Sequence, residues 1–155
     1  MLRRGLLVAT LACLALPASA DALIQVDKGI AGVRLDNSKS EVRAALGKPR
    51  SVTKGTNDFG PFTQYRYRGG IRVTFQGNRG VTQVATSGVG DRTRTGVGVG
   101  SSEQDVRDGV ARIRCGTFDG TRICQTKRGL PGQRLTSFFF ADGQVVRVTV
   151  AIVID

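Results

Sequence analysis

Gly32–Arg43 (GVRLDNSKSEVR) and Gly96–Arg107 (GVGVGSSEQDVR) decide the predicted fold, because the second stretch repeats the first without a gap. The two stretches lie 64 residues apart, and five of the twelve aligned positions are identical. A pattern of strand, turn and strand recurs at nearly the same spacing. Two matched segments at one offset predict a tandem pair of helix-then-sheet units. The recurring strand segments are Val73–Phe75 with Val81–Val84, and Phe138–Phe140 with Val145–Val148.

Each copy contains a signal for the start of a helix. Ser38 is followed three residues later by Glu41, a capping box in which each side chain satisfies a backbone N–H of the first turn. Ser102 and Asp105 repeat this pattern in the second copy. Gly47 and the following Pro49 are typical of a helix end. The apolar faces that follow are Val42, Ala45 and Leu46 in the first copy, and Val106, Val110 and Ile113 in the second.

After each predicted helix, apolar and polar residues alternate with a period of two, which is typical of half-buried strands. Gly69–Gly70, Asp119–Gly120 and Asp142–Gly143 are expected to form hairpin turns between neighbouring strands. The alternation predicts a sheet with one apolar face and one basic face. The predicted strands are 63–68, 71–76, 81–86, 121–126, 135–141 and 145–154.

These patterns predict an α+β fold of two tandem helix-then-antiparallel-sheet repeats that share one sheet. Residues 21–87 form the first predicted repeat, residues 88–95 a linker rich in Gly, Arg and Thr, and residues 96–155 the second repeat.

The N-terminus is typical of an export signal, which we assign to residues 1–20. Arg3 and Arg4 precede an apolar run that ends in Ala18-Ser19-Ala20, a site with small residues where signal peptidase cleaves. The mature chain would begin at Asp21 and be secreted or periplasmic. Two alternatives stay open: retention of the apolar run as an anchor, although it is shorter than the roughly 20 residues of a membrane span, and lipidation at Cys13.

Charge and cysteine content are consistent with export. The chain has 23 Lys and Arg, 12 Asp and Glu and no histidine. Once Cys13 is removed, Cys115 and Cys124 remain, and an even pair in an oxidising compartment predicts a disulfide. A zinc site needs four ligands, which two cysteines without histidine do not supply. We therefore expect no metal and no cofactor.

The composition argues against an enzyme. Without histidine the chain lacks the usual general base near neutral pH, and no Ser-His or Cys-His pair can be built. Ser51-Val52-Thr53-Lys54 matches the S-x-x-K pattern of penicillin-recognising enzymes, but no SDN or KTG motif accompanies it. The prediction is a non-enzymatic protein.

The basic sheet face is the predicted binding surface. Arg66, Arg68 and Arg72 should lie on one face, because alternate residues of a strand point the same way and the Gly69–Gly70 turn pairs the two strands. Such a face attracts acidic or phosphate-rich partners. A solvated polar face in an arginine-rich protein is the alternative, and nucleic acid is disfavoured because export removes the usual partner.

Aromatic residues add candidates for partner contacts. Tyr65 and Tyr67 alternate with the arginines just before the predicted hairpin, and the strand register decides which set faces out. Phe139 points to the side of the strand opposite Phe138 and Phe140. If that side of the sheet is uncovered, Phe139 is a candidate contact for a partner.

Several of these motifs resemble a known family. The Gly32–Arg43 helix opening, Leu46-Gly47-Lys48-Pro49, Tyr65-x-Tyr67 and Val73-Thr74-Phe75 resemble the SmpA/OmlA (BamE-like) small envelope lipoproteins. In tandem, secreted and disulfide-bonded, the arrangement is similar to the β-lactamase inhibitory protein fold. The resemblance implies helices on one side of an antiparallel sheet and a binding surface on the other. Cys13 is a poor match to the lipid-anchoring cysteine of BamE-like proteins, because Thr10 stands where an aliphatic residue is preferred, and only one disulfide is possible where the inhibitor has two.

The sequence therefore predicts a secreted or periplasmic binding module whose open, basic sheet face docks a protein partner, in an inhibitory or envelope-assembly role. The alternative is a structural envelope protein that binds an anionic cell-wall or lipid polymer. The predicted partner-binding residues are Tyr65, Arg66, Tyr67, Arg68, Arg72 and Phe139.

Overall fold

The computed structural model describes residues 23–155, so the predicted signal peptide 1–20 lies outside the described residues. In this part of the chain there are eleven β-strands and two short α-helices. The strands are β1 (Ile24–Gln25), β2 (Gly29–Ile30), β3 (Val33–Arg34), β4 (Ser51–Asn57), β5 (Gly60–Arg66), β6 (Arg72–Gln76), β7 (Val81–Thr86), β8 (Arg114–Phe118), β9 (Thr121–Gln125), β10 (Arg134–Ala141) and β11 (Gln144–Ile152). The helices are α1 (Lys39–Leu46) and α2 (Glu103–Gly109), with a 3-10 turn at Arg68–Gly70.

Eight strands form one antiparallel sheet in the order β4-β5-β6-β7-β11-β10-β9-β8. The central contact pairs β7 with β11, where Val84 lies opposite Val150. The other neighbouring strands follow one another along the chain, and their longest connection is residues 126–133 between β9 and β10. Asp119–Gly120 and Asp142–Gly143 form the predicted two-residue turns, and all four residues have positive φ. A separate small sheet contains β1, β2 and β3.

The core lies against one face of the large sheet, which we call the covered face. Phe75 and Phe138 are its largest fully buried side chains, and Val42 of α1 and Val106 of α2 belong to the same apolar cluster. Ile30 of the small sheet also packs into it. The two helices and the small sheet therefore cover this face. The opposite face, which we call the open face, carries the alternate residues of each strand.

The predicted capping boxes are confirmed at both helices. The Ser38 hydroxyl accepts a hydrogen bond from the backbone N–H of Glu41, and the Glu41 carboxylate accepts one from the N–H of Ser38. Ser102 and Asp105 make the same exchange in α2. Gly47 ends α1 with a φ of 76°, a conformation that favours glycine.

The predicted fold class is wrong. The molecule is mainly antiparallel β, and the helices in residues 23–155 have only eight and seven residues. The second helix ends at Gly109, so Ile113 lies beyond it. Residues 24–30, for which no strand was predicted, contain β1 and β2. The sequence patterns therefore overestimated the helical content, because most of the ordered elements in residues 23–155 are strands.

The segment assigned to a linker, residues 88–95, contributes to the packed structure. Asp91 and Thr93 are buried. Arg92 forms β-bridges with both Leu23 and Gly98, and its carbonyl accepts a hydrogen bond from the N–H of Ile24 at 2.8 Å.

The helices found in residues 23–155 are too short and too polar to span a bilayer.

Candidate functional site

The open face carries one continuous row of residues across all eight strands. Directly opposite residues of paired strands share a face, so the register identifies the members of the row. Long basic side chains stand toward its two ends, and small side chains lie near its middle. The row consists of Ser51, Arg66, Arg72, Ala85, Thr149, Ser137, Gln125 and Arg114.

The two predicted arginines of this row lie side by side. Arg66 of β5 and Arg72 of β6 are directly opposite in the register, and both are exposed. The Arg66 Nε donates a hydrogen bond to Gln64 Oε1 at 3.3 Å. Arg68 is exposed too, but it belongs to the 3-10 turn rather than to a strand. The turn is longer than the predicted Gly69–Gly70 hairpin, because β5 ends at Arg66.

The second half of the open face presents an arginine stacked on an aromatic ring. Phe139 of β10 is opposite Arg147 of β11, and the Arg147 guanidinium lies 4.1 Å from the centre of the Phe139 ring. Phe139 is half-buried and Arg147 is exposed. A cation over an aromatic face is held by electrostatic attraction and apolar contact together. The pair forms a partly apolar patch beside the row of open-face residues.

The structure separates the predicted tyrosines from the predicted arginines. Tyr65 is only 3% exposed and lies on the covered face, where its hydroxyl accepts a hydrogen bond from Arg43 Nη2 of α1 at 3.0 Å. Tyr67 is half-buried, and its hydroxyl is buried without a hydrogen-bond partner among the described residues. Burial raises the pKa of Tyr67. Both tyrosines therefore face the core, and Arg66 and Arg72 face solvent.

Charge is distributed unequally between the two faces. The eight strands contain no Asp or Glu, whereas they contain seven basic residues. On the covered face the helices and loops supply carboxylates to such residues: Glu103 bonds Arg122, and Asp36 bonds Arg134. The open-face arginines have no such source. Within residues 23–155, salt bridges are absent at Arg66, Arg72, Arg114 and Arg147.

Glu103 is the most strongly perturbed carboxyl group among the described residues. It accepts hydrogen bonds from Arg122 of β9, with both distances 2.8 Å, and from Arg107 of α2 at 2.7 and 3.0 Å. These two guanidinium groups, Arg122 first, lower the pKa of Glu103 to about 2. The carboxylate therefore stays charged at neutral pH and links α2 to the sheet.

The predicted disulfide is confirmed. Cys115 and Cys124 are bonded, and they lie directly opposite each other on β8 and β9. The bond therefore links two neighbouring strands at one border of the large sheet. The Glu103 carboxylate lies near both sulfurs. Because the sulfurs are bonded to each other, this group offers no thiolate to a metal ion.

Two open-face arginines were missing from the sequence-based candidates. Arg114 stands at the start of β8, a strand the alternation did not predict. Arg147 follows a bulge in the pairing of β10 with β11, which leaves both Val146 and Arg147 exposed. The absence of acidic residues from every predicted strand was readable from the sequence and points to the whole sheet.

Comparison with protein-family models and with curated protein sequences finds no match. Among solved structures, the fold is similar to a cysteine-rich secretory protein from Staphylococcus aureus, with a TM-score of 0.48 and 9% identity over 76% of this chain and 44% of that one. An extracellular protein with an SCP domain from Bacillus anthracis gives 0.48 and 11% over 76% and 44%. A DUF4309 family protein from Bacillus subtilis gives 0.49 and 18% over 78% and 82%. The chain thus spans less than half the length of the first two.

The observed architecture corrects the resemblance drawn from short motifs. Residues 23–155 form a broad antiparallel sheet of eight strands, a small sheet and two short helices, with strands predominating. The assignment to SmpA/OmlA (BamE-like) repeats and to the β-lactamase inhibitory protein fold is wrong. The motifs that suggested it, a capped helix start and alternating strands, are common local structures. Export keeps independent support, because the disulfide is typical of oxidising compartments.

Proposed function

We propose that this protein is a secreted or periplasmic, non-enzymatic binding module whose open sheet face docks an acidic surface of a protein partner. The observation that carries the proposal is the difference between the two faces. Among the basic residues of the large sheet, Arg122 and Arg134 on the covered face are bonded to carboxylates of a helix and a loop, whereas the arginines of the open face have no carboxylate partner among residues 23–155. An acidic partner would supply the missing charges.

The electrostatic repulsion between Arg66 and Arg72 supports a binding role for this pair. Like charges directly opposite on neighbouring strands destabilise a sheet by a few tenths of a kcal/mol or more. Arg66 and Arg72 occupy such a pair, where a neutral or acidic residue at one position would stabilise the fold. A carboxylate placed between the two guanidinium groups would remove this repulsion. The pair is therefore suited to an acidic side chain of a partner.

The dimensions of the open face fit a protein partner. The row crosses seven strand spacings of about 4.8 Å, or roughly 34 Å, which is comparable to the width of a standard protein interface. Ala85, Ser137 and Thr149 near its middle are small and buried, so a partner would contact mainly the longer side chains that flank them. Phe139 with Arg147 supplies the aromatic and arginine contact that is enriched at binding hot spots.

Binding measured with paired charge reversals tests the proposal. The mature chain captures its partner from envelope and culture fractions at low salt, and the Kd of the purified pair is then measured. We expect Arg66→Glu with Arg72→Glu to weaken binding at least 100-fold. The matched control, Lys54→Glu with Arg79→Glu, makes the same change in net charge away from the open face and should change the Kd less than threefold.

A third variant distinguishes a protein partner from an anionic polymer. Phe139→Ala should weaken binding to a folded protein about tenfold, because it removes an aromatic contact of the kind enriched at binding hot spots. Binding to a cell-wall or lipid polymer would instead fall steeply with salt and be indifferent to Phe139. Binding that is steeply salt-dependent and indifferent to Phe139 would reject docking of a protein on the open face. An equal loss of affinity in the open-face pair of charge reversals and in the control pair would reject it as well.

The absence of an enzymatic role remains part of the proposal. The chain contains no histidine, and the most perturbed carboxylate, Glu103, is held in its charged form by two arginines. A carboxylate with so low a pKa is a poor general base near neutral pH. Turnover of an envelope substrate by the purified protein would contradict this part of the proposal.

A further inference from the structure

A cleft on the covered side of the molecule lies away from the open face. It runs between the small sheet, residues 93–95 and the C-terminal end of α2, and its volume is about 530 Å³. This volume is within the range of small-molecule sites. Its apolar lining is formed by Leu23, Ile24, Val26, Val110 and Ala111.

Three basic residues stand around this apolar lining. Lys28, Arg34 and Arg94 line the cleft and all three are exposed, and among residues 23–155 no acidic residue is part of the lining. None of the three forms a salt bridge among residues 23–155. The cleft therefore offers apolar contact and uncompensated positive charge together.

The two threonine hydroxyls of the cleft are already engaged. The Thr95 hydroxyl donates to the Gly109 carbonyl at 2.7 Å and lies 2.9 Å from the Thr93 hydroxyl. The N–H of Val97 donates to the Thr93 hydroxyl at 3.0 Å. Gln25 is the remaining uncharged polar side chain of the lining, so a neutral sugar would find few uncharged partners here. A ligand with an apolar body and one anionic end would match both parts of the lining.

We propose that this cleft binds an anionic amphiphile, with an acyl chain against the apolar lining and its carboxylate among Lys28, Arg34 and Arg94. The charge of the three cations favours an anionic end over a neutral one. Burial of methylene groups supplies the driving force for the chain. The site is independent of the proposed docking of a partner on the open face, since it uses other residues on the other side of the sheet.

Calorimetric titration of the mature chain with decanoate, below its micelle concentration, tests the site. We expect saturable binding at one site per chain, at least tenfold tighter than binding of 1-decanol, and no binding of acetate. Arg34→Glu with Arg94→Glu should raise the Kd for decanoate at least tenfold. Ala111→Glu should do the same, by placing a carboxylate beside the apolar lining.

Two controls make the result decisive. Lys54→Glu with Arg79→Glu changes the net charge equally outside the cleft, and Arg66→Glu with Arg72→Glu alters only the open face; both should leave the Kd within threefold of the parent value. Thermal unfolding confirms that every variant is folded. Absence of decanoate binding, equal affinity for 1-decanol, or equal losses in the cleft and control pairs would overturn the proposal.

Discussion

Arg66 and Arg72 lie directly opposite each other on β5 and β6, both on the open face. We therefore predict that Arg72→Glu stabilises the protein while weakening partner binding. Replacing repulsion by a cross-strand ion pair should raise the free energy of unfolding by about 0.5 kcal/mol, measured by urea denaturation. The control Arg79→Glu, in the turn after β6, should change stability less. A loss of stability in Arg72→Glu would contradict this account of the pair.

Glu103 should make stability depend on pH. Its folded pKa of about 2 is below the ordinary value of 4.5, so its contribution is present above about pH 4.5 and is lost as pH falls toward 2. Glu103→Gln should lower the free energy of unfolding by about 1 kcal/mol at pH 7, because the network with Arg122 and Arg107 is partly exposed. Urea denaturation at pH 7 and pH 2.5 checks this. The difference between parent and variant should shrink at the lower pH.

A carboxylate without such partners serves as the control for this experiment. Asp119 lies exposed in the turn between β8 and β9, and Asn tolerates its positive φ. Asp119→Asn should leave stability nearly unchanged at both pH values. An equal effect of the two substitutions would show that general surface charge, and not the Glu103 network, causes the pH dependence.

The disulfide should contribute to stability through the short loop it closes. Cys115→Ala with Cys124→Ala should lower the free energy of unfolding by about 2–3 kcal/mol by loop entropy. Urea denaturation with and without a reducing agent measures this. The parent protein should lose stability on reduction, whereas the double variant should not respond. A parent protein whose two thiols can be alkylated without reduction would contradict the bond.

The helix caps should be individually measurable. Ser38→Ala and Ser102→Ala each remove an oxygen that accepts a hydrogen bond from a first-turn backbone N–H, which costs about 1 kcal/mol. Ser87→Ala, at an exposed position just after β7, serves as the control and should change stability by less than about 0.5 kcal/mol. Equal effects at Ser38 and Ser87 would mean that the cap contributes little.

Cleavage of the predicted signal peptide can be tested by measuring the mass of the mature protein. The protein recovered from the periplasm or culture medium should begin at Asp21, as measured by intact-mass spectrometry. Changing Ala20 to a bulky residue should block cleavage, because signal peptidase needs small residues at this site. A mature mass that retains residues 1–20, or a lipid-modified Cys13, would favour one of the two alternatives to cleavage.

Local features were predictable from the sequence because short-range chemistry determines them. The capping boxes of Ser38 and Ser102, the glycine that ends α1 and the Asp-Gly turns each depend on residues within a few positions of one another. The Cys115–Cys124 pair followed from counting cysteines. These predictions required no knowledge of long-range packing.

Other features depend on pairing between distant residues. The contact of β7 with β11 joins Val84 to Val150, and no local pattern specifies it. Whether Tyr65 or Arg66 faces solvent changes with a one-residue slip of register. Burial of Tyr65 beneath Arg43 of α1 resolves that choice. The same dependence on tertiary packing made the fold class wrong, since two-residue strands such as β1 are too short to show a period.

The order of the large sheet has a consequence for how copies of this protein behave at high concentration. An open sheet ends in two border strands with unpaired backbone groups, which can recruit further chains into aggregates. Here the borders are β4 and β8. No residue of β4 is buried, and Lys54 stands at its middle; β8 is short and begins with Arg114. Charged, polar and short borders resist edge-to-edge polymerisation, so the protein can keep a broad sheet surface exposed without forming fibres.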